Sequence, residues 1–237
     1  MTHLETRARP MNSRAYFITA TGTDSGKTYV AAGLLRALQA RGRAVRGLKP
    51  VMSGYDAAHP EACDAAALLA AQGLPVNAET VAAISPWRYA APLSPDRAAA
   101  LEGRRIDVAA LTDWCRQQIA AHQDVLLIEG IGGVMVPLDE TTTVREWMAA
   151  LGLPVILVAG TYLGALSHTL TALAALREAG LLPAAIVVNE CNGAGVSLSD
   201  SLASLAPHVG TIPLFALGRD DAAGLQTLAD FLLETTP

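Results

Sequence analysis

The chain has 237 residues, 51% of them hydrophobic and only 16% charged, enough to bury one large core and better suited to a single α/β domain than to two small ones. A net charge of -5 without any basic run argues against a nucleic-acid partner, and no window reaches the ~18 uncharged apolar residues of a membrane span. Cys63, Cys115 and Cys191 are far apart and lack Cys-x-x-Cys spacing, which points to reduced thiols in a cytoplasm and against a zinc site.

Residues 1–13 carry charge, Pro10 and no apolar centre, so they read as a disordered extension rather than a signal peptide, with Met11 an alternative start and a single domain expected over 14–237. Apolar strands are then expected at 15–20, 44–48, 124–129, 154–159, 184–188 and 209–212. Helical patterns fall at about 27–41, 61–72, 107–121, 143–151, 165–179, 196–206 and 221–234. The runs Val125-Leu126-Leu127-Ile128 and Val155-Ile156-Leu157-Val158 suit strands buried on both faces. Such alternation predicts an α/β fold with a doubly wound, mainly parallel sheet and helices on both faces, with ligands beyond the carboxyl ends of its strands.

The first strand runs into Thr21-Gly22-Thr23-Asp24-Ser25-Gly26-Lys27-Thr28, which then opens a helix at Tyr29. Glycine lets backbone N–H groups converge on phosphate oxygens, and the helix N-terminus adds partial positive charge. Lys27 would reach the outer phosphates and the Thr28 hydroxyl can ligate Mg²⁺. Strict Gly-x4-Gly-Lys-Thr spacing would need glycine at 21, where Thr21 stands. Lys49 ends the second strand ahead of Pro50, aimed as a cation across from the phosphate loop. Asp64 begins an alanine-rich helix, where an acid is also simply a favourable dipole partner. Glu129 ends the third strand as a Walker-B acid, so Thr28, Asp64 and Glu129 make a partial Mg²⁺ shell, and Gly130, Ile131, Gly132 and Gly133 bring backbone close to a phosphate. Asn189, at the end of the fifth strand, suits a nucleobase edge or a cap on the next turn. The turn from Gly160 to Thr169 is a second anion site by type, with His168 structural. No nucleophile stands beside a base.

These residues resemble the dethiobiotin synthetase family from Tyr16 to about Asp220. The resemblance rests on the phosphate loop, Lys-Pro-Val-x-Ser-Gly at 49–54, Ala-Pro-x-Ser-Pro at 91–95, Glu-Gly-x-Gly-Gly at 129–133, Leu-Gly-x-Leu-Ser-His at 163–168 and Asn189. It implies an ATP- and Mg²⁺-dependent closure of the ureido ring of dethiobiotin from 7,8-diaminononanoate and CO₂, through a carbamate and its phosphoric anhydride. By similarity, Lys27 and Lys49 are catalytic. Asp24, Ser25, Gly26, Lys27, Thr28 and Tyr29 bind ATP with Asp64, Glu129, Gly130, Ile131 and Gly132. Asn189, Pro213, Leu214, Phe215 and Asp220 close the nucleotide pocket. Thr23, Ser53 and Gly132 hold the diamine end of the substrate. The resemblance also implies a homodimer with its site at the interface, where Leu163, Gly164 and Ala165 of the partner receive the remote carboxylate.

Ala20 stands where the family usually has glycine, Gly22 where aspartate is common, Asp96 for a usual histidine and Ser167 for a usual asparagine. None of these removes a charge the chemistry needs. A switch ATPase of the partitioning kind would carry a further lysine early in the phosphate loop, and none lies between Tyr16 and Gly26. An amidating synthetase of cobalamin biosynthesis would need a glutamine-hydrolysing domain, for which this length leaves no room.

Overall fold

The computed structural model describes residues 14–191 and 195–235; the extension expected at 1–13, with Met11, lies outside the described residues. The chain runs β1 (Arg14–Ala20), α1 (Lys27–Gln39), β2 (Val45–Leu48), β3 (Val51–Met52), a 3-10 turn (Pro60–Ala62), α2 (Asp64–Ala71), α3 (Ala78–Ile84), β4 (Trp87–Arg88) and α4 (Pro95–Leu101). It continues through α5 (Val108–Ala121), β5 (Val125–Glu129), α6 (Val144–Leu151), β6 (Val155–Ala159), α7 (Ala165–Glu178), β7 (Pro183–Asn189), α8 (Leu198–Val209), β8 (Leu214–Leu217) and α9 (Ala222–Glu234).

Six strands form one sheet in the order β2-β5-β1-β6-β7-β8, every neighbouring pair parallel, while β3 and β4 make a separate parallel pair. The chain leaves β1 toward β2 on one side and, after β5, builds the other side with β6, β7 and β8. The carboxyl end of β1 is therefore the switch point where a crevice opens. Register places Ile18 beside Glu129 and Ala20 beside Val158, so the phosphate loop emerges level with the end of β5.

β5 and β6 are buried along their whole length, as their continuous apolar runs require. Helices pack around this sheet, α1 on α2 and α9, α5 on α6, and α7 on α8. The Phe17 ring on β1 meets Trp147 on α6 edge-on, centroids 4.9 Å apart, and both side chains are fully buried. Burial of each contributes roughly 1.5–3 kcal/mol, and the edge contact about 1 kcal/mol more. This pair ties α6 to the strand that carries the phosphate loop.

The last strand departs from expectation. Residues 209–212 are not a strand: α8 continues through Pro207 to Val209, and β8 begins at Leu214. Ser201, Leu205 and Val209, spaced four apart, bury one face of α8, and that packing outweighs the hydrogen bond Pro207 cannot donate. Gly210, at φ 69°, then ends the helix.

Candidate active site

The phosphate loop is shaped by two residues with left-handed backbone, Asp24 at φ 59° and Gly26 at φ 93°. At Gly26 a Cβ would also fall 2.2 Å from the Asn189 side-chain nitrogen, so only glycine fits. Within the loop, Ser25 Oγ donates to Gly22 O at 3.2 Å, and Lys27 Nζ folds back to the same carbonyl at 3.2 Å. Lys27 is the first residue of α1, whose first turn holds no acidic side chain, so the helix dipole and the ammonium point their positive ends into one loop. Opposite, Gly133 lets the segment after β5 approach so closely that a Cβ would lie 3.1 Å from Thr21 O.

The charged centre lies beside this loop. Lys49 directly follows β2, and its backbone N–H donates to Ile84 O at 3.1 Å. Its Nζ lies 2.8 Å from Asp64 Oδ2, 2.6 Å from Glu129 Oε1 and 2.9 Å from Gly130 O. Thr28 Oγ1 donates to the same Glu129 Oε1 at 2.7 Å, while Glu129 Oε2 is buried with no partner. The side chains of Lys49 and Glu129 are 2% and 0% exposed, whereas half of Asp64 faces the cavity and solvent. Burial acts to lower the Lys49 pKa, but the charges of Glu129 and Asp64 outweigh it and hold the ammonium above the ordinary lysine value. Burial likewise disfavours the Asp64 carboxylate, yet Lys49, aided by Thr28 and Lys27, keeps that carboxyl below its usual range. Lys27 behaves oppositely: burial, then repulsion from Lys49, brings it down to about 8, with Glu129, Asp64 and Asp24 resisting.

A cavity of about 710 Å³ joins these groups. Thr23, Asp24, Gly26, Lys27 and Thr28 form one wall and Lys49, Ser53 and Asp64 another, with Ile131 and Gly132 closing it. Thus the residues expected for phosphate, metal and diamine converge. Pro92, Leu93, Ser94 and Pro95 add a further wall, brought there by the β3–β4 pair and by Gly54 N–H donating to Ala91 O at 3.1 Å. The Ala-Pro-x-Ser-Pro run at 91–95 was the signal for this wall, although sequence reasoning attached no role to it.

Other expected residues lie elsewhere. Asn189 is nearly buried and donates to Ser25 O at 3.2 Å, so it braces the phosphate loop as well as ending β7. It shares a groove of about 820 Å³ with Thr21–Asp24, Tyr162 and His168, the last two hydrogen-bonded at 2.8 Å. Gly164, at φ 97°, precedes α7; Leu163 is 89% exposed, and neither they nor Ala165 line the cavity holding Lys49. Tyr29 and Asp220 line a third cleft, about 420 Å³, between α1 and α9. Pro213, Leu214 and Phe215 do not reach the carboxyl edge of the sheet: Leu214 pairs beside Ile186, three residues below Asn189, and Pro213 O accepts from Ile186 N–H. A separate cleft of about 600 Å³ between Arg97, Arg105 and Thr141 contains none of these residues.

Residues 14–217 match a family described as an AAA domain. The chain is 50% identical over 199 residues to the ATP-dependent dethiobiotin synthetase BioD of Acidiphilium cryptum, covering 84% of this chain and 89% of that one. To the protein of the same name from Methylobacterium nodulans it is 51% identical, covering 82% and 88%. The chain belongs to the ATP-dependent dethiobiotin synthetase family. Among solved structures, the cell division ATPase MinD of Pyrococcus furiosus aligns over 94% of this chain and all of its own with a TM-score of 0.53 at 17% identity. HypB of Helicobacter pylori aligns over 94% and 86% with the same score at 14% identity. At that distance the two share only the fold with this synthetase, and the fold does not choose its chemistry. Among the described residues no cluster of three or more His, Cys, Asp or Glu is placed to hold a metal; Asp64, Glu129 and Thr28 gather two carboxylates and one hydroxyl around Lys49. Such a partial set suits an ion that keeps waters and leans on substrate oxygens, as Mg²⁺ does.

Proposed function

We propose that this chain closes the ureido ring of dethiobiotin, converting 7,8-diaminononanoate, CO₂ and ATP to dethiobiotin, ADP and phosphate. One amine of the substrate adds to CO₂ and loses a proton, giving a carbamate. A carbamate oxygen takes the γ-phosphoryl group as ADP leaves, and the second amine then attacks the carbonyl carbon and expels phosphate.

The observation that carries this reading is the convergence of Lys27, Lys49, Thr28 and Asp64 on one cavity beside the phosphate loop, with the buried Glu129 bonded to Lys49 and Thr28 behind them. The reaction brings a triphosphate, a carbamate and a carboxylate into one place, so charge neutralisation is its main demand. Lys27 serves the outer phosphates and Lys49 the carbamate and γ-phosphate, with Thr23, Ser53 and Gly132 positioning the diamine. Mg²⁺ fits the donor set, since all three groups are hard oxygens and the buried Glu129 Oε2 lacks a partner. Thr28, Asp64 and Glu129 would hold it, and when bound it neutralises phosphate oxygens. Asn189 meets adenine from the edge of its groove, and Asp220 lies beside the same helix as Tyr29.

The working form is a homodimer in which the exposed turn at Leu163–Ala165 offers the α7 N-terminus to the partner's substrate. No described helix is long and apolar enough to cross a membrane, and the three free cysteines support a reducing compartment such as the cytoplasm.

A coupled assay tests the reading directly. With the diamine and labelled bicarbonate, label should appear in dethiobiotin, and ADP release should depend on both. Equal ATP hydrolysis with and without the diamine would reject it.

A further inference from the structure

We propose that Lys49 is the chain's own counter-cation for Asp64 and Glu129, and that a divalent ion engages those carboxylates only by displacing its ammonium into the cavity. The proposal takes the identity of the ion and the nucleotide from the reading above.

The geometry carries it. Each carboxylate already gives one oxygen to Lys49, Asp64 Oδ2 at 2.8 Å and Glu129 Oε1 at 2.6 Å, so an ion drawn in by the unpartnered Glu129 Oε2 meets the ammonium at both groups. Thr28, the third donor, spends its hydroxyl hydrogen on that same Glu129 oxygen. Lys27 and Lys49 face three carboxylates here, Asp24, Asp64 and Glu129, and only Asp64 and Glu129 touch Lys49. A dication sharing both carboxylates with the ammonium would leave two cations in contact, a repulsion that the buried Lys49–Glu129 side of the site screens poorly.

The backbones cannot relieve that clash. Glu129 is the last residue of a buried central strand, and Lys49 is pinned by its N–H to Ile84 O and by Pro50 behind it. The Lys49 side chain is the part that can rotate, and the cavity beside it is where the reacting anions are to bind. Metal entry and delivery of the Lys49 ammonium to those anions are then one event. Carboxylates that bind the ion thereby release the cation that the carbamate and γ-phosphate require.

Binding of Mn²⁺ without nucleotide, followed through the paramagnetic signal of the free ion, tests the exchange in wild type, Lys49→Met and Lys27→Met. Lys49→Met should bind Mn²⁺ about tenfold tighter than wild type or more, as expected for removing a competing unit charge from a buried site. It should also melt lower in chelator and gain more thermal stability from Mn²⁺ than wild type does. Lys27→Met, which removes the same charge without freeing a carboxylate, should change affinity by less than about threefold. Equal tightening in both variants would mean net charge alone and would overturn the proposal. So would unchanged Mn²⁺ affinity in Lys49→Met. If that variant does not fold, Lys49→Gln carries the same comparison. Wild-type turnover in the labelled-bicarbonate assay is read alongside, so failure of the exchange and failure of the ring-closure reading are separately visible.

Discussion

Lys27 is drawn two ways, since burial and the nearby Lys49 favour loss of its proton while Glu129, Asp64 and Asp24 oppose it, leaving its pKa at about 8. The sign for stability follows. The folded value lies below the ordinary 10.5, so between about pH 8 and 10.5 the unfolded chain binds more protons, and the Lys27 contribution to stability rises with pH. Nucleotide binding moves the other way, because phosphate needs the charged form. Affinity for a fluorescent ADP analogue should therefore weaken by about tenfold from pH 7 to pH 9, and Lys27→Arg, charged throughout, should flatten the profile. A wild-type affinity unchanged across that range would show that Lys27 does not meet the phosphates as an ammonium.

α6 shows how an element far from the chemistry holds it in place. Thr143 Oγ1 accepts from Arg145 N–H at 3.2 Å, and Glu146 returns a carboxylate oxygen to Thr143 N–H at 2.8 Å. Burial acts against the Glu146 carboxylate, but hydrogen bonds from Thr143 and the pairing with Arg145 bring it down to about 2. That folded pKa lies below the ordinary 4.5, so the Glu146 contribution is complete above pH 4.5 and is lost as pH falls toward 2. The cap starts the helix that seats Trp147 on Phe17, and so closes the long segment after Glu129. Thr143→Ala should cost about 1 kcal/mol and lower the melting temperature by roughly 2–4 °C, with Thr143→Ser near wild type. Calorimetry checks this, and equal melting of both variants would mean the cap is idle. The same element illustrates what the chain makes legible. A helix at 143–151 and the strands of β5 and β6 are announced by period and by apolar runs, and Lys49 and Glu129 stand out at strand ends, where ligands gather, while Asp64 at a helix start reads by itself as a dipole partner. The two-residue strands β3 and β4 have no period to detect, and α3 and α4, seven residues each, are too short to carry a clear one. The wall at Pro92–Pro95 depends on those elements and stayed hidden with them. The Asn189 brace joins residues 164 apart, which no local pattern encodes.

At the scale of the whole molecule the question is whether one chain makes a complete site. The phosphate loop, Lys49 and Asp64 line one cavity, but the turn before α7 projects Leu163 into solvent and contributes nothing to that cavity. A chain of this form needs a second copy if its α7 N-terminus is to meet the remote carboxylate of a substrate whose diamine end is seated near Ser53. Two defects placed on opposite halves of such a shared site should then complement each other. Lys49→Ala removes the central cation, and Leu163→Glu sets a negative charge at the exposed helix start, where it repels a carboxylate without disturbing the core. Each homodimer should turn over poorly. Co-expressed and randomly paired, half of the dimers are mixed, and each mixed dimer holds one site with both halves intact, so turnover should recover to about 25% of wild type. If every site were built from one chain, neither variant could repair the other, and the mixture would stay at the average of its two parents.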